Sequence, residues 1–307
     1  MPVNTANTFT ELLSETRQAH PIREPLYKQI EEQIEAQLKI KARVVAFFTS
    51  FVWPVAIENS DADMIEEMLR NTEMEDRQLF LILNSGGGDG LAAERIVNIF
   101  RTCGGGKFSV IVPKMAKSAA TMICFGADRI LLGPTSELGP IDPQIPKRDE
   151  SGKVVDYQAA HEIIEAYEEL LTKANTTRGR VEPYLQQLAR FDARDIRRIK
   201  SSQNLAANIA VKALKSGMMS KASEKDIRTR IKPFLDPKHS ISHGRPIYHE
   251  VAHKAGLNVE CFDFRCDLWK SIWSLYVRLN YVVSNLESAK AIESVFTEYT
   301  ASPLGTR

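Results

Sequence analysis

Leu79 to Leu83 reads LFLIL and Asn84 to Gly90 reads NSGGGDG, so a continuously apolar run leads directly into glycines. Runs of this kind are typical of strands that are covered on both faces of a sheet. Glycines after such a strand allow a tight turn, and they leave backbone N–H groups free to face an anion where the next helix begins. The stretch therefore predicts a buried strand with a candidate anion or oxyanion site at its end.

Further apolar runs of the same type, with helical patterns between them, extend this reading to an α/β fold. The β-type runs are 44–51, 108–112 and 130–132, and the helical patterns between strands are 61–71, 91–102 and 118–126. After Pro146 the pattern becomes helical with little β signal, and Asp192 is a predicted N-cap for a long helix from Ala193 to Ser216. A β pattern returns at 257–262. We expect an N-terminal helical arm (1–42), an α/β core (43–262) and a C-terminal helical extension (263–307).

Composition and charge exclude several classes of protein. The 307 residues include 40 Lys and Arg against 39 Asp and Glu, a net charge of +1, so we expect no nucleic-acid partner. No apolar run reaches the roughly 20 residues of a membrane-spanning helix. The N-terminus lacks the basic start and apolar centre of a secretory signal. These features predict a cytoplasmic protein without a transmembrane segment, and they leave peripheral membrane contact open.

The glycine turn admits three interpretations. Phosphate binding fits poorly, because the stretch matches neither the P-loop pattern G-x-x-x-x-G-K-[ST] nor the dinucleotide pattern G-x-G-x-x-G, and we expect no cofactor. A plain glycine turn is the second interpretation. An oxyanion hole, in which backbone N–H groups stabilise the negative charge of an acyl-transfer intermediate, is the third.

Ser118 supports the third interpretation. It follows the predicted strand 108–112 and precedes a helix of small and apolar residues. A serine at such a junction has the positive end of the helix and a neighbouring N–H group beside it, which is how a nucleophile and half of an oxyanion hole arise together. Serine is also a common N-cap, so capping of the helix is the alternative.

Three segments, taken in order, resemble the Clp/crotonase superfamily: NSGGG at 84–88, AKSAA at 116–120 and GADRI at 126–130 with the GPTSELGPIDPQ that follows at 133–144. Within it they are most similar to the signal peptide peptidase A group of serine peptidases, in the serine dehydrogenase proteinase branch. The resemblance implies a spiral Clp/crotonase-like core and a peptide or protein substrate. It also implies that Ser118 is the nucleophile and that Gly86, Gly87 and Ala119 supply oxyanion N–H groups.

The general base does not follow directly from these motifs. The Clp protease subunit carries its catalytic His in the stretch that reads 135–144 here, where no His occurs, so the resemblance leaves a Ser-Lys dyad. In the signal peptide peptidase A group that Lys follows the Gly-Pro segment and precedes the long helix. The lysines in that interval here are Lys147, Lys153 and Lys173. The first two lie in a polar loop, so we expect Lys173, with its pKa lowered by burial, to be the base. Lys117 is expected to point away from Ser118.

Two predicted helices suggest assembly. Apolar stripes on the helices at 25–40 and 267–286 lie outside the predicted core, and members of the resembled family form rings or stacked oligomers. Both considerations predict a homo-oligomer.

Other functions remain as alternatives. His249-Glu250-Val251-Ala252-His253 fits the zinc-peptidase pattern H-E-x-x-H, but Val259 stands where the third metal ligand of the extended pattern belongs, so we expect no metal. A non-catalytic oligomeric scaffold would keep the fold with a degenerate site. Crotonase-type acyl-CoA chemistry would use the same oxyanion geometry without needing Ser118.

Overall fold

A computed structural model describes residues 20–149, 151–236, 244–285 and 288–302. The parts of the predicted arm before residue 20 and of the predicted extension after residue 302 lie outside these ranges. The helices are α1 (His20–Leu38), α2 (Asn59–Arg70), α3 (Gly90–Cys103), α4 (Ala119–Gly126), α5 (Ala160–Thr176), α6 (Glu182–Leu188), α7 (Ala193–Ser216), α8 (Glu224–Arg230), α9 (Lys232–Leu235), α10 (His249–Lys254) and α11 (Asp267–Asn285). The strands are β1 (Ala42–Thr49), β2 (Gln78–Asn84), β3 (Phe108–Val112), β4 (Met115–Ala116), β5 (Arg129–Leu132), β6 (Glu137–Leu138), β7 (Gln144–Arg148), β8 (Val154–Ala159), β9 (Val259–Cys261), β10 (Lys290–Ser294) and β11 (Glu298–Ala301).

A seven-stranded sheet, in the order β11-β10-β1-β2-β3-β5-β9, organises the described part of the chain. The five strands from β1 to β9 are parallel, and β10 and β11 add an antiparallel edge. Val45, Leu81, Val110 and Ile130 lie opposite one another across neighbouring parallel strands, and all four face the same core. The parallel register brings the carboxyl ends of these strands to one edge, which is where α/β sheets place their sites.

Helices cover both faces of the sheet. On the front face α2, α3, α4 and α7 pack on the strands, and on the back face α1 and α11 do so. Within β2, Leu79, Leu81 and Leu83 belong to the front core and Phe80 and Ile82 to the back core. Burial on both faces is the reason that this strand is apolar throughout, and the predicted α/β class is confirmed.

The back helices correct one expectation. Ile30 and Ile34 of α1, and Trp269 and Ile272 of α11, are buried against each other and the sheet. The apolar stripes that predicted an interface between copies are therefore covered within a single chain, and that basis for a homo-oligomer is wrong. Within the described ranges, every helix is too short or too polar to cross a bilayer.

Most of the predicted core helices and strands are present, but two groups of strands were not predicted. Helix α7 begins where expected, with the Asp192 side chain accepting a hydrogen bond from the Arg194 N–H. The C-terminal extension contains the predicted helix, but it also supplies β10 and β11 to the sheet. The hairpin of β7 and β8 lies in a stretch where no strand was predicted.

The described residues 144–149 and 151–188, which include β7, β8, α5 and α6, form what we call the peripheral segment. Its buried contacts are few: Ala160 and Ile164 of α5 meet Ile199 of α7 in a small cluster separate from both main cores. Helix α6 has no buried residue. The peripheral segment is thus held far less firmly than the sheet beside it.

Candidate active site

The glycine turn after β2 is shaped by two very close backbone contacts. Gly87 has a φ of +104°, and a Cβ placed on it would lie 2.7 Å from the Lys117 carbonyl oxygen and 2.8 Å from Ser118 Cβ. Gly88 has a φ of +155°, and its Cβ would lie 2.2 Å from the backbone nitrogen of Ile57. Only glycine fits these positions, because both the backbone angle and the space exclude a side chain. The turn therefore presses directly against the Ser118 backbone.

Ser118 stands between β4 and α4 in a strained conformation, with φ +49° and ψ −116°. A non-glycine residue at positive φ costs about 1–3 kcal/mol and is found most often at functional sites. Its side chain makes no capping hydrogen bond to α4. The capping alternative therefore does not explain this serine, and among the described residues its hydroxyl has no hydrogen-bond partner.

Two of the three predicted oxyanion donors lie together. The Ala119 nitrogen is 3.2 Å from the position of a Cβ on Gly87, and it opens α4, where N–H groups have no acceptor within the helix. The Gly87 N–H donates to the Ser85 hydroxyl at 3.1 Å. Gly86 instead faces the Phe51 ring, which lies 3.5 Å from the position of its Cβ.

A cavity of about 260 Å³ opens beside Ser118. Its lining is mixed. The apolar part comes from α3, α4, the loop between β6 and β7, and α7: Leu91, Met122, Ile141, Leu205, Ala206 and Ile209. Polar residues line much of the rest: Asp89, Asp142, Gln144 and Ser202. The cavity therefore offers a substrate both apolar contacts and hydrogen-bond partners beside Ser118.

Lys117 points away from the nucleophile, as expected. Its ammonium group pairs with the Glu137 carboxylate and donates to the Leu138 carbonyl at 3.2 Å, so it fastens β6 to the loop that carries Ser118. Gly139 packs against the Lys117 stem, where an added Cβ would lie 2.5 Å from Cδ. Lys117 is therefore committed to holding the loop.

Lys173 does not have the environment that was expected of it. Its side chain is 51% exposed, and its Nζ lies 2.6 Å from a Glu169 carboxylate oxygen one turn earlier in α5. That hydrogen bond and charge raise the pKa of Lys173 above its ordinary value. The expectation that burial lowers this pKa is wrong, because the end of α5 is solvated. Lys173 as the base remains a prediction, and this environment does not favour it.

A histidine and an aspartate that sequence reasoning missed lie next to the Ser118 cavity. His161 Nδ1 is 2.8 Å from Asp142 Oδ2, and the two side chains are 11% and 6% exposed. Asp142 lines the Ser118 cavity and also a neighbouring cavity of about 440 Å³ that contains His161. When Nδ1 carries the ring proton and donates it to Asp142, Nε2 is left as a proton acceptor. The pair is therefore a second candidate for the base.

The β7–β8 hairpin brings this pair together. Gln144 lies opposite Ala159 at its open end, and the Ala160 N–H donates to the Pro143 carbonyl at 2.9 Å. Asp142 and His161 flank that closure, so residues 19 apart in sequence become neighbours. The available signal was Asp142 itself, which stands in the stretch where a catalytic His was sought, followed by the first His after Ser118.

The H-E-x-x-H stretch forms the short helix α10. Ala252 is its buried member, whereas the Glu250 side chain is 64% exposed. In the described ranges, no group of three or more His, Cys, Asp or Glu side chains is placed to hold a metal ion.

A parallel strand that ends in glycines, a strained serine at a helix start and the first N–H of that helix beside it define a site of the serine-hydrolase type on an α/β fold. The family described as "ClpP-like SDH-type serine proteinase" matches residues 15–168, about half of the chain. The chain belongs to this family. The match includes the glycine turn, Ser118, Asp142 and His161.

Curated relatives match over shorter stretches. One uncharacterized protein of Methanocaldococcus jannaschii is 35% identical over 115 residues, which are 37% of this chain and 34% of that protein. A second from the same organism is 36% identical over 93 residues, 30% of each chain. The match thus spans about a third of each relative's length.

Two solved structures are similar in outline. Both are mutants of a membrane-bound stomatin-specific protease. The first, a Ser-to-Ala mutant, has a TM-score of 0.33 and 15% identity, and the match covers 69% of this chain and 76% of that one. The second, a Lys-to-Ala mutant in complex with a substrate peptide, has a TM-score of 0.27 and 16% identity, and the match covers 72% of this chain and 93% of that one.

Proposed function

We propose that this protein is a serine peptidase that cleaves peptide bonds by acyl transfer through Ser118. The observation that carries the proposal is the strained Ser118 backbone, held between Gly87 and the start of α4. The Ser118 side chain borders a cavity, and its hydroxyl has no hydrogen-bond partner among the described residues. The strain serves no capping purpose, so a catalytic role accounts for it best.

The proposed reaction begins with attack of Ser118 Oγ on a peptide carbonyl. His161 Nε2 takes the hydroxyl proton, and the Asp142 carboxylate stabilises the imidazolium that forms. The Ala119 N–H, together with the Gly87 N–H released from Ser85, donates to the oxyanion. His161 then protonates the leaving amine, and water hydrolyses the acyl-enzyme by the same route.

We favour His161 over Lys173 as the base for two reasons. His161 is hydrogen-bonded to Asp142, which lines the Ser118 cavity, whereas Lys173 pairs with Glu169 at the solvated end of α5. A base must also release its proton near neutral pH, and the Glu169 carboxylate moves the pKa of Lys173 in the opposite direction.

The proposal requires His161 to approach Ser118 when a peptide enters, because no hydrogen bond joins Ser118 Oγ to another described residue. Catalytic hydrogen bonds are often long or absent before substrate binds. The sparse contacts of the peripheral segment allow such an approach.

The setting of the enzyme is also part of the proposal. We propose a peptide or protein substrate, a cytoplasmic location and a homo-oligomer. Light scattering at micromolar concentration tests the last of these, and a monomer would contradict it.

A serine-reactive fluorophosphonate probe tests the function. We expect one covalent adduct, on Ser118 by peptide mapping, and no labelling of Ser118→Ala. The replacement should change the free energy of unfolding by less than about 1 kcal/mol, because the hydroxyl does not cap α4 and has no hydrogen-bond partner among the described residues. The exposed Ser220 supplies the control, since Ser220→Ala should label like wild type.

The outcomes separate the alternatives. An unlabelled wild-type protein would contradict the peptidase and favour the scaffold. Casein hydrolysis that survives in Ser118→Ala but disappears with a chelator would instead favour the His249-Glu250-His253 motif.

A further inference from the structure

The Asp142 carboxylate is held at both of its oxygens. Oδ2 meets His161 of α5, and Oδ1 accepts a hydrogen bond from the Gln203 side-chain amide of α7 at 3.3 Å. Two helices thus fix one side chain from different directions.

The hydrogen bond from Gln203 satisfies the second oxygen of the Asp142 carboxylate. Asp142 is nearly buried, and a carboxylate in such a place needs donors for both oxygens. If Oδ1 had no donor, the carboxylate plane could turn about the Cβ–Cγ bond and weaken the hydrogen bond to His161. The Gln203 amide limits that rotation.

We propose that Gln203 is a positioning residue for the base pair. Its amide keeps the Asp142 carboxylate aligned with His161 Nδ1, which keeps the ring proton on Nδ1 and leaves Nε2 for Ser118. This inference rests on the proposed function. Helix α7 would then have two roles, because it also contributes Leu205 and Ile209 to the wall of the Ser118 cavity.

Two near-isosteric replacements test it. Gln203→Leu removes the donor while keeping the bulk of the side chain, and we expect kcat to fall about tenfold with KM nearly unchanged, because the lost bond serves a charged group. Gln203→Glu places a second carboxylate against Asp142. The extra negative charge favours the imidazolium, so we expect the acid limb of the kcat/KM profile to move to higher pH.

Asn204→Asp is the matched control. Asn204 is the next residue of α7, is exposed and makes no hydrogen bond to Asp142 within the described part of the chain. Asn204→Asp adds the same charge nearby without a contact to Asp142. The acid limb of its kcat/KM profile should therefore move less than that of Gln203→Glu. Thermal unfolding of each variant shows whether it is folded.

Hydrolysis of labelled casein and the rate of fluorophosphonate labelling are the readouts, with His161→Ala measured alongside. A strong loss in His161→Ala, a kcat loss in Gln203→Leu and the larger pH shift in Gln203→Glu support the inference. If His161→Ala is inactive while Gln203→Leu keeps wild-type kcat and pH profile, only the role of Gln203 is overturned. If His161→Ala retains full activity, the proposed base is wrong and this inference falls with it.

Discussion

The proposed nucleophile lies in a tightly packed region of the molecule, whereas the proposed base lies in a loosely packed one. Ser118 lies where the sheet, the glycine turn and α4 meet, and every residue of α4 is buried. His161 lies on α5, whose buried residues are only Ala160 and Ile164 among those described. A rigid layer can maintain the strain at Ser118, whereas a loosely packed segment can move its histidine. The fold thus fixes the proposed nucleophile and leaves the proposed proton acceptor adjustable.

Glycine replacements should give the largest contrast between the two regions. Gly88→Ala would force a Cβ to within 2.2 Å of the Ile57 backbone, and we expect a loss of about 3–5 kcal/mol in the free energy of unfolding. Gly152, in the hairpin turn, also has a positive φ of +82°, but nothing lies within 4 Å of its Cβ position. Gly152→Ala should cost about 1 kcal/mol. Urea unfolding measures both, and equal losses would remove the contrast.

Truncations of buried isoleucines give a smaller contrast. Ile123→Ala in α4 removes a side chain from the main front core, and we expect about 2–5 kcal/mol of destabilisation. Ile164→Ala in α5 affects only the small separate cluster, and it should cost about 1 kcal/mol because few atoms lose contact. An Ile164→Ala loss as large as that of Ile123→Ala would show that the peripheral segment is part of the cooperative core.

The same difference explains how much of the fold could be predicted from sequence. Strand β2 and helix α7 were predictable, because double-sided burial gives a continuous apolar run and a cap residue marks the helix start. Strand β10 was missed since its Lys290 and Glu293 are buried as ion pairs with Asp61 and Arg23, which hides the apolar pattern. The hairpin was missed because its strands are polar and largely solvated.

The residues of the candidate site also fall into a predictable group and an unpredictable one. Ser118, Gly87 and Ala119 lie on elements whose local patterns are strong, so the sequence brought them into one hypothesis. The pairing of Asp142 with His161 depends on closure of the unpredicted hairpin, and no local pattern records it. Lys173 was proposed because the helix that carries it was expected to be more deeply buried than it is.

The central claim is that His161, held by Asp142, is the base for Ser118. Its most direct test compares His161→Ala with Lys173→Ala, two truncations on the same helix, by casein hydrolysis and by the rate of fluorophosphonate labelling. We predict that His161→Ala lowers both rates about 10²–10⁴-fold, which is the contribution typical of a general base. The rates of Lys173→Ala should stay within about twofold of wild type. Full activity in His161→Ala together with loss in Lys173→Ala would contradict it.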